Sequence, residues 1–169
     1  RKESSAASDV YKRQGDEGLE FYEYNLASND TLKAFTVKKN IISNFSYSFS
    51  PDQKKLLLKK NSVKLWRHSS YGSYYVYDIS SESLIPVTTD PDSLRNVKFS
   101  PDSNKLAFVR NDNNLYLFDL NNELEEQLTF DGSKDILNGH FGWVYEEEFG
   151  TYDSYKWSPN SEYLSLIHI

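Results

Sequence analysis

The chain has no cysteine. That excludes a disulfide framework and any thiolate metal site, and it leaves the redox compartment open. Glycine is scarce, with seven residues and none clustered, so no glycine loop is present to cradle a phosphate and nucleotide binding has no support. Purely apolar runs are only a few residues long, as at Leu56-Leu57-Leu58, against about 20 for a membrane-crossing helix. Clustered positive charge is missing as well. The net charge is −6 with lysines scattered along the chain, which argues against nucleic acid as a partner. No Gly-x-Ser-x-Gly elbow and no His-Glu-x-x-His pair occurs. His140 and His168 lack partners at metal-ligand spacing, so neither a metal nor a cofactor is expected. On its own residues, this chain binds and does not catalyse.

What the chain does have is aromatic side chains: 13 Tyr, 10 Phe and 3 Trp. That profile favours strands, since aromatic side chains suit a pleated, half-buried surface. The length of 169 residues permits one domain with a sizeable core. Both ends look foreign. "SSAASDVYKRQ" at 4–14 and "LSLIHI" at 164–169 resemble translated sequencing-adapter read-through. Residues 1–14 and 165–169 are therefore expected to be non-native tails around a domain of residues 15–164. The chain begins with Arg1 and shows no signal peptide, so a fragment lacking its targeting segment is expected.

The middle of the chain repeats. "FSPDQKKLLL" at 49–58, "FSPDSNKLAF" at 99–108 and "WSPNSEYLSL" at 157–166 share one pattern. An aromatic ends a strand, Ser-Pro-Asp/Asn turns, and an apolar strand follows. Leu56, Leu106 and Leu164 each fall five residues after the proline. A second, alternating strand pattern closes on Asp in "YYVYDIS" (74–80) and "LYLFDLN" (115–121); "FYEYNLA" (21–27) looks like its counterpart in a preceding unit. A third element, "LIPVTTD" and "EEQLTFD", places Thr88 and Thr129 ten residues after Asp78 and Asp119. Units of 50 and 58 residues with about four short strands each match β-propeller blades. The expected fold is all-β: a partial propeller of about three blades. A sandwich would not need the same turn at every step.

The spacings show where the repeat is stretched. Pro51 to Asp78 is 27 residues, against 18 from Pro101 to Asp119, and the extra length lies around "KLWRHSSYG". Thr129 to Trp157 is 28 residues, against 11 from Thr88 to Phe99, and the extra length holds "NGHFGWVYEEEFG". Insertions in a repeat scaffold map to loops or elongated hairpins, often on the binding face. The bland interpretation of Glu146, Glu147 and Glu148 is a solvated helical turn, and that of Arg67 is a surface cation with a covered stem. Three features weigh against it: the insertion itself, the aromatic flanks, and an arginine in the other insertion. Two carboxylates held together would share the donors of an ammonium group, and a nearby arginine would keep them ionised.

At these insertions the chain resembles the dipeptidyl peptidase IV family, serine exopeptidases of the prolyl oligopeptidase clan. The carriers are "KLWRHSSYGSYYVYDI" and "NGHFGWVYEEEFGTYDSYKWSPNSEYL", and the resemblance covers residues 18–164. It implies the N-terminal propeller of an enzyme that removes X-Pro or X-Ala dipeptides, with a short helix near residues 143–149. Glu147 and Glu148 would then hold the substrate's free α-ammonium, and Arg67 would contact a substrate carbonyl. Trp66, His68, Trp143, Tyr145 and Glu146 are implied supporting residues. The resemblance also implies a peptide substrate with a free N-terminus, a C-terminal α/β-hydrolase domain carrying a Ser-Asp-His triad, an extracytoplasmic setting, and scope for a homodimer in the full-length protein. The family often has Asp directly before the Trp, whereas Phe141-Gly142 stand here. A non-enzymatic propeller binding peptides or partners is the alternative. A sugar-binding periplasmic propeller would instead show aromatic platforms without paired acids.

Overall fold

The computed structural model describes residues 8–88 and 93–167. Residues 1–7 of the amino-terminal tail, Thr89 and Asp90 of one third-element pattern, and His168 lie outside the described residues. Two compact units divide the chain, residues 1–44 and 45–169. The first is an antiparallel sheet of β1 (Ser8–Gln14), β2 (Gly18–Asn25) and β3 (Asp30–Lys38). β1, which lies within the segment expected to be a tail, pairs with β2 from Ser8 opposite Asn25 to Gln14 opposite Leu19. Phe21 of β2 is fully buried and stacks on Phe35 of β3, ring centroids 4.5 Å apart.

The second unit contains two complete blades. The first is the meander β4 (Ser46–Phe49), β5 (Lys55–Lys64), β6 (Ser70–Asp78), β7 (Ser83–Pro86). The second is β8 (Arg95–Phe99), β9 (Lys105–Val109), β10 (Leu115–Asp119), β11 (Leu124–Gln127). After them come one helix, α1 (Trp143–Phe149), and a two-stranded sheet of β12 (Tyr155–Trp157) and β13 (Leu164–Leu166). The partial propeller and its short helix are therefore what the repeat and the resemblance implied.

Blade stacking follows from the two-residue period of a strand, which points successive side chains to opposite faces. In β9, Leu106 and Phe108 join Leu57, Tyr74 and Val76 of the preceding blade in one buried cluster. Ala107 and Val109 of the same strand join Leu115 and Tyr155 in a second cluster, with Trp157, Leu164 and Leu166 packed against it. Such a strand must be apolar throughout, as "LAFV" is.

The repeated turn does more than reverse the chain. Ser50 Oγ donates to Asp52 Oδ1 (2.6 Å) and accepts from the Lys55 N–H (2.9 Å). Ser100 does the same with Asp102 and Lys105, and Ser158 with Asn160 and Tyr163. The next position, Gln53, Ser103 or Ser161, is left-handed, with φ of 60°, 63° and 61°. Where that residue is serine, it ties its blade to the one before. The buried Ser103 Oγ accepts the Asp52 N–H at 3.1 Å, and the buried Ser161 Oγ accepts the Asp102 N–H at 2.9 Å.

Asp52 is exposed, so removing this tie costs about 0.5–1.5 kcal/mol, as for an ordinary hydrogen bond. Ser103→Ala should lower the midpoint of chemical unfolding accordingly. Ser103→Gly loses the same bond but relieves a left-handed residue of about 1 kcal/mol. It should therefore fall less than the alanine variant, and the order of the two midpoints checks the account.

Candidate functional site

The two insertions grow out of adjacent blades. The first is an elongated hairpin. β5 and β6 run past the blade through an irregularity between Lys60 and Val63, and the hairpin closes at a corner where Ser69 O accepts the N–H groups of Leu65 (3.0 Å) and Trp66 (3.3 Å). Arg67 and His68 sit at the exposed tip of that corner, with Trp66 half-buried and Ser69 buried.

The second insertion is held at its stem by polar side chains. Asn96 lies where the β8–β9 register shifts, at φ 53°. Its Nδ2 donates to Gly139 O (3.0 Å) and Tyr152 O (3.1 Å), clamping the two ends of the insertion together. His140 is buried, with Nε2 2.8 Å from Asn113 Oδ1 and Nδ1 3.1 Å from Phe141 O, so it serves the stem. Lys98 Nζ reaches Asp153 at 2.8 Å. Gly139 has φ 79°, and a Cβ there would lie 2.6 Å from Val109 Cγ2, so this position requires glycine.

Helix α1 is oriented against the usual pattern. Trp143, Val144, Tyr145 and Phe149 are exposed, and the one buried residue is Glu146. Gly142 occupies the N-cap with no side-chain cap. Gly150, at φ 67°, ends the helix by donating to Glu146 O. Phe141 is buried and stacks on Tyr145 at 5.1 Å.

The glutamates take three different environments. Glu146 is 1% exposed, and its Oε1 accepts the backbone N–H groups of His68 and Ser69, the latter at 2.9 Å. Glu147 Oε2 pairs with Arg67 Nε at 3.0 Å, its side chain 17% exposed against 67% for the arginine. Glu148 is exposed and has no hydrogen-bond or ion-pair partner among the described residues. Arg67 thus meets Glu147 across the insertions, and the solvated-turn interpretation fails at Glu146. His68 stacks on Tyr152 with centroids 6.4 Å apart. Trp143 and Tyr145 form the exposed aromatic face beside the carboxylates.

Burial alone would raise the Glu146 carboxyl, but the hydrogen bonds from His68 and Ser69 more than offset it and hold the group below its ordinary 4.5. Arg95 was not singled out from sequence. It is 3% exposed, lies over the Tyr71 ring at 5.4 Å, and is lowered by burial while the Glu146 charge opposes that lowering. Nothing in "DSLRNVKF" distinguishes it from a surface cation on a strand.

A family model described as the dipeptidyl peptidase IV N-terminal region matches residues 50–169. The chain belongs to the dipeptidyl peptidase IV family. It is similar to dipeptidyl aminopeptidase B of Saccharomyces cerevisiae, 41% identical over 126 residues, covering 73% of this chain and 15% of that protein. It is also similar to dipeptidyl peptidase 4 of Bos taurus, 36% identical over 162 residues, covering 92% of this chain and 20% of the relative. The crystal structure of Porphyromonas gingivalis dipeptidyl peptidase 4 superposes with a TM-score of 0.79 at 30% identity, covering 92% of this chain and 23% of that one. The chain therefore spans 15% to 23% of the length of these proteins.

The depressed Glu146 carboxyl makes the site acid-sensitive. A group lowered on folding contributes stability that is complete above its unfolded pKa and lost as pH falls through the folded one. Stability should therefore fall with pH below about 4.5. In Glu146→Gln the loss over that window should be shallower, starting from a less stable protein at neutral pH. Chemical unfolding measured from pH 7 down to 3 checks this.

Proposed function

We propose that this chain is the substrate-recognition propeller of a serine-type dipeptidyl peptidase that releases X-Pro or X-Ala dipeptides from peptide N-termini. Glu147 and Glu148 hold the free α-ammonium, and Arg67 contacts a substrate carbonyl while tempering the carboxylate charge. The observation that carries this is the 3.0 Å Arg67–Glu147 pair with the unpartnered Glu148 next to it. Arg67 is exposed in this pair while Glu147 is half-buried, and a pair open to water on the arginine side is worth only about 1 kcal/mol. A ligand cation can therefore share Glu147 without breaking a strong internal bond, and Glu148 offers a second acceptor.

The chemistry explains how an exopeptidase counts residues. A double carboxylate fixed at a set distance from the nucleophile is satisfied only by a charged terminus. A blocked terminus strips water from two acids and gives no donor back, which is penalised more heavily than the loss of one contact. Cleavage, and the preference for Pro or Ala at the second residue, fall to the hydrolase domain implied by the family, and the propeller alone binds without hydrolysing.

In the full-length protein, Glu147→Gln or Glu148→Gln should each lower kcat/KM for a free dipeptidyl substrate, by the equivalent of about 2–5 kcal/mol, as for removing one partner of a charge pair buried on binding. An N-acetylated substrate should be poor with the parent and no worse with the variants. Equally mild effects at positions 146, 147 and 148 would overturn the assignment.

A further inference from the structure

Helix α1 has seven residues, too few to be stable alone. It has no side-chain cap and most of its aromatic side chains face outward, so apolar packing is limited to the stacking of Tyr145 on Phe141. What reaches inward is the Glu146 carboxylate, whose Oε1 receives two backbone N–H groups from 77 and 78 residues away. Glu146 Oε2, Ser69 Oγ and Arg95 Nε are buried without hydrogen-bond partners, so the bonds to Oε1 are the buried part of the attachment, and the Arg67–Glu147 pair is its exposed part. The residues so joined are the immediate neighbours of the proposed anchor. Arg67 precedes His68, and Glu147 follows Glu146.

We propose that Glu146 is a positioning residue of the ammonium anchor. Its carboxylate sets the register between α1 and the 65–69 corner, and thereby brings Arg67 to Glu147 and turns Glu148 outward. This inference rests on the proposed function and deepens it. A carboxylate suits the task because a charged acceptor binds two N–H donors on one oxygen more strongly than an amide does. A glutamine would weaken both bonds, and it would remove the negative charge that acts on buried Arg95. A displacement of about 1 Å in a positioning element is enough to cost up to about a hundredfold in rate.

The test uses the full-length protein, a chromogenic dipeptidyl substrate with a free amino terminus, and a fluorophosphonate serine reagent that has no amino group. Glu146→Gln should raise KM by about ten- to a hundredfold with kcat little changed, while the serine-labelling rate stays at the parent value. In an Arg67→Met background the same substitution should cost less than in the parent, because one of the two contacts that it positions is already lost. Glu146→Asp, one methylene shorter with the charge retained, should raise KM by a smaller factor. A parent-like KM in both position-146 variants, beside a damaged Glu147→Gln, would overturn this inference alone. A harmless Glu147→Gln would overturn the proposed function itself. Loss of serine labelling in both position-146 variants would show a role in folding only, and would also overturn the inference.

Discussion

The site depends on one buried carboxylate. Glu146 Oε1 takes the N–H groups of His68 and Ser69, and beside them the Arg67–Glu147 ion pair links helix α1 to the hairpin corner. Burying a charge is costly unless it is hydrogen-bonded, and removing its partners leaves it uncompensated. The corner and the helix are thus each the condition under which the other is stable. A short helix with exposed aromatics and a hairpin tip with an exposed arginine would each lack a fixed place without that contact. With it, two segments nearly 80 residues apart behave as one local structure.

The blades make the contact possible. Because β9 is buried on both faces, its neighbours on either side are brought to a defined stacking distance. The Ser103 and Ser161 hydroxyls then fasten successive turns at one end of each blade. Insertions leaving neighbouring blades emerge side by side, and the distance that they must bridge is set by the sheet scaffold. Asn96 and Lys98 add a polar clamp at the base of the second insertion. Rigidity at the base and exposure at the tip are the division of labour expected where a scaffold presents loops for binding.

The three glutamates show how helix geometry assigns different tasks to one residue type. Adjacent helical side chains point about 100° apart, so a triplet cannot face one environment. Glu146 turns inward to the hairpin backbone, Glu147 meets the arginine at a half-buried edge, and Glu148 faces water. The mutual repulsion that three consecutive carboxylates would suffer is relieved by separating them into these environments, with Arg67 and Arg95 supplying opposite charge on two sides.

The amino-acid sequence by itself determined the blade repeat, the two insertions and the resemblance that pointed to Arg67, Glu147 and Glu148. These are local or periodic features: Ser-Pro-Asp/Asn turns, alternating strands, and departures from a constant spacing. The resemblance also implied the short helix, and the structure ends it at Gly142 and Gly150. The sequence left undecided which glutamate is buried, because burial depends on what packs opposite, and the partner is a backbone corner far away in the chain. It marked neither Arg95 nor Asn96, since an arginine or asparagine in a strand has the same local signature whether it faces water or a neighbouring insertion. His140 was without a role in sequence and proved to be a stem residue, held by Asn113. Only the tertiary structure could settle these points, because each is a hydrogen bond or a charge compensation between residues whose separation along the chain carries no periodic signal.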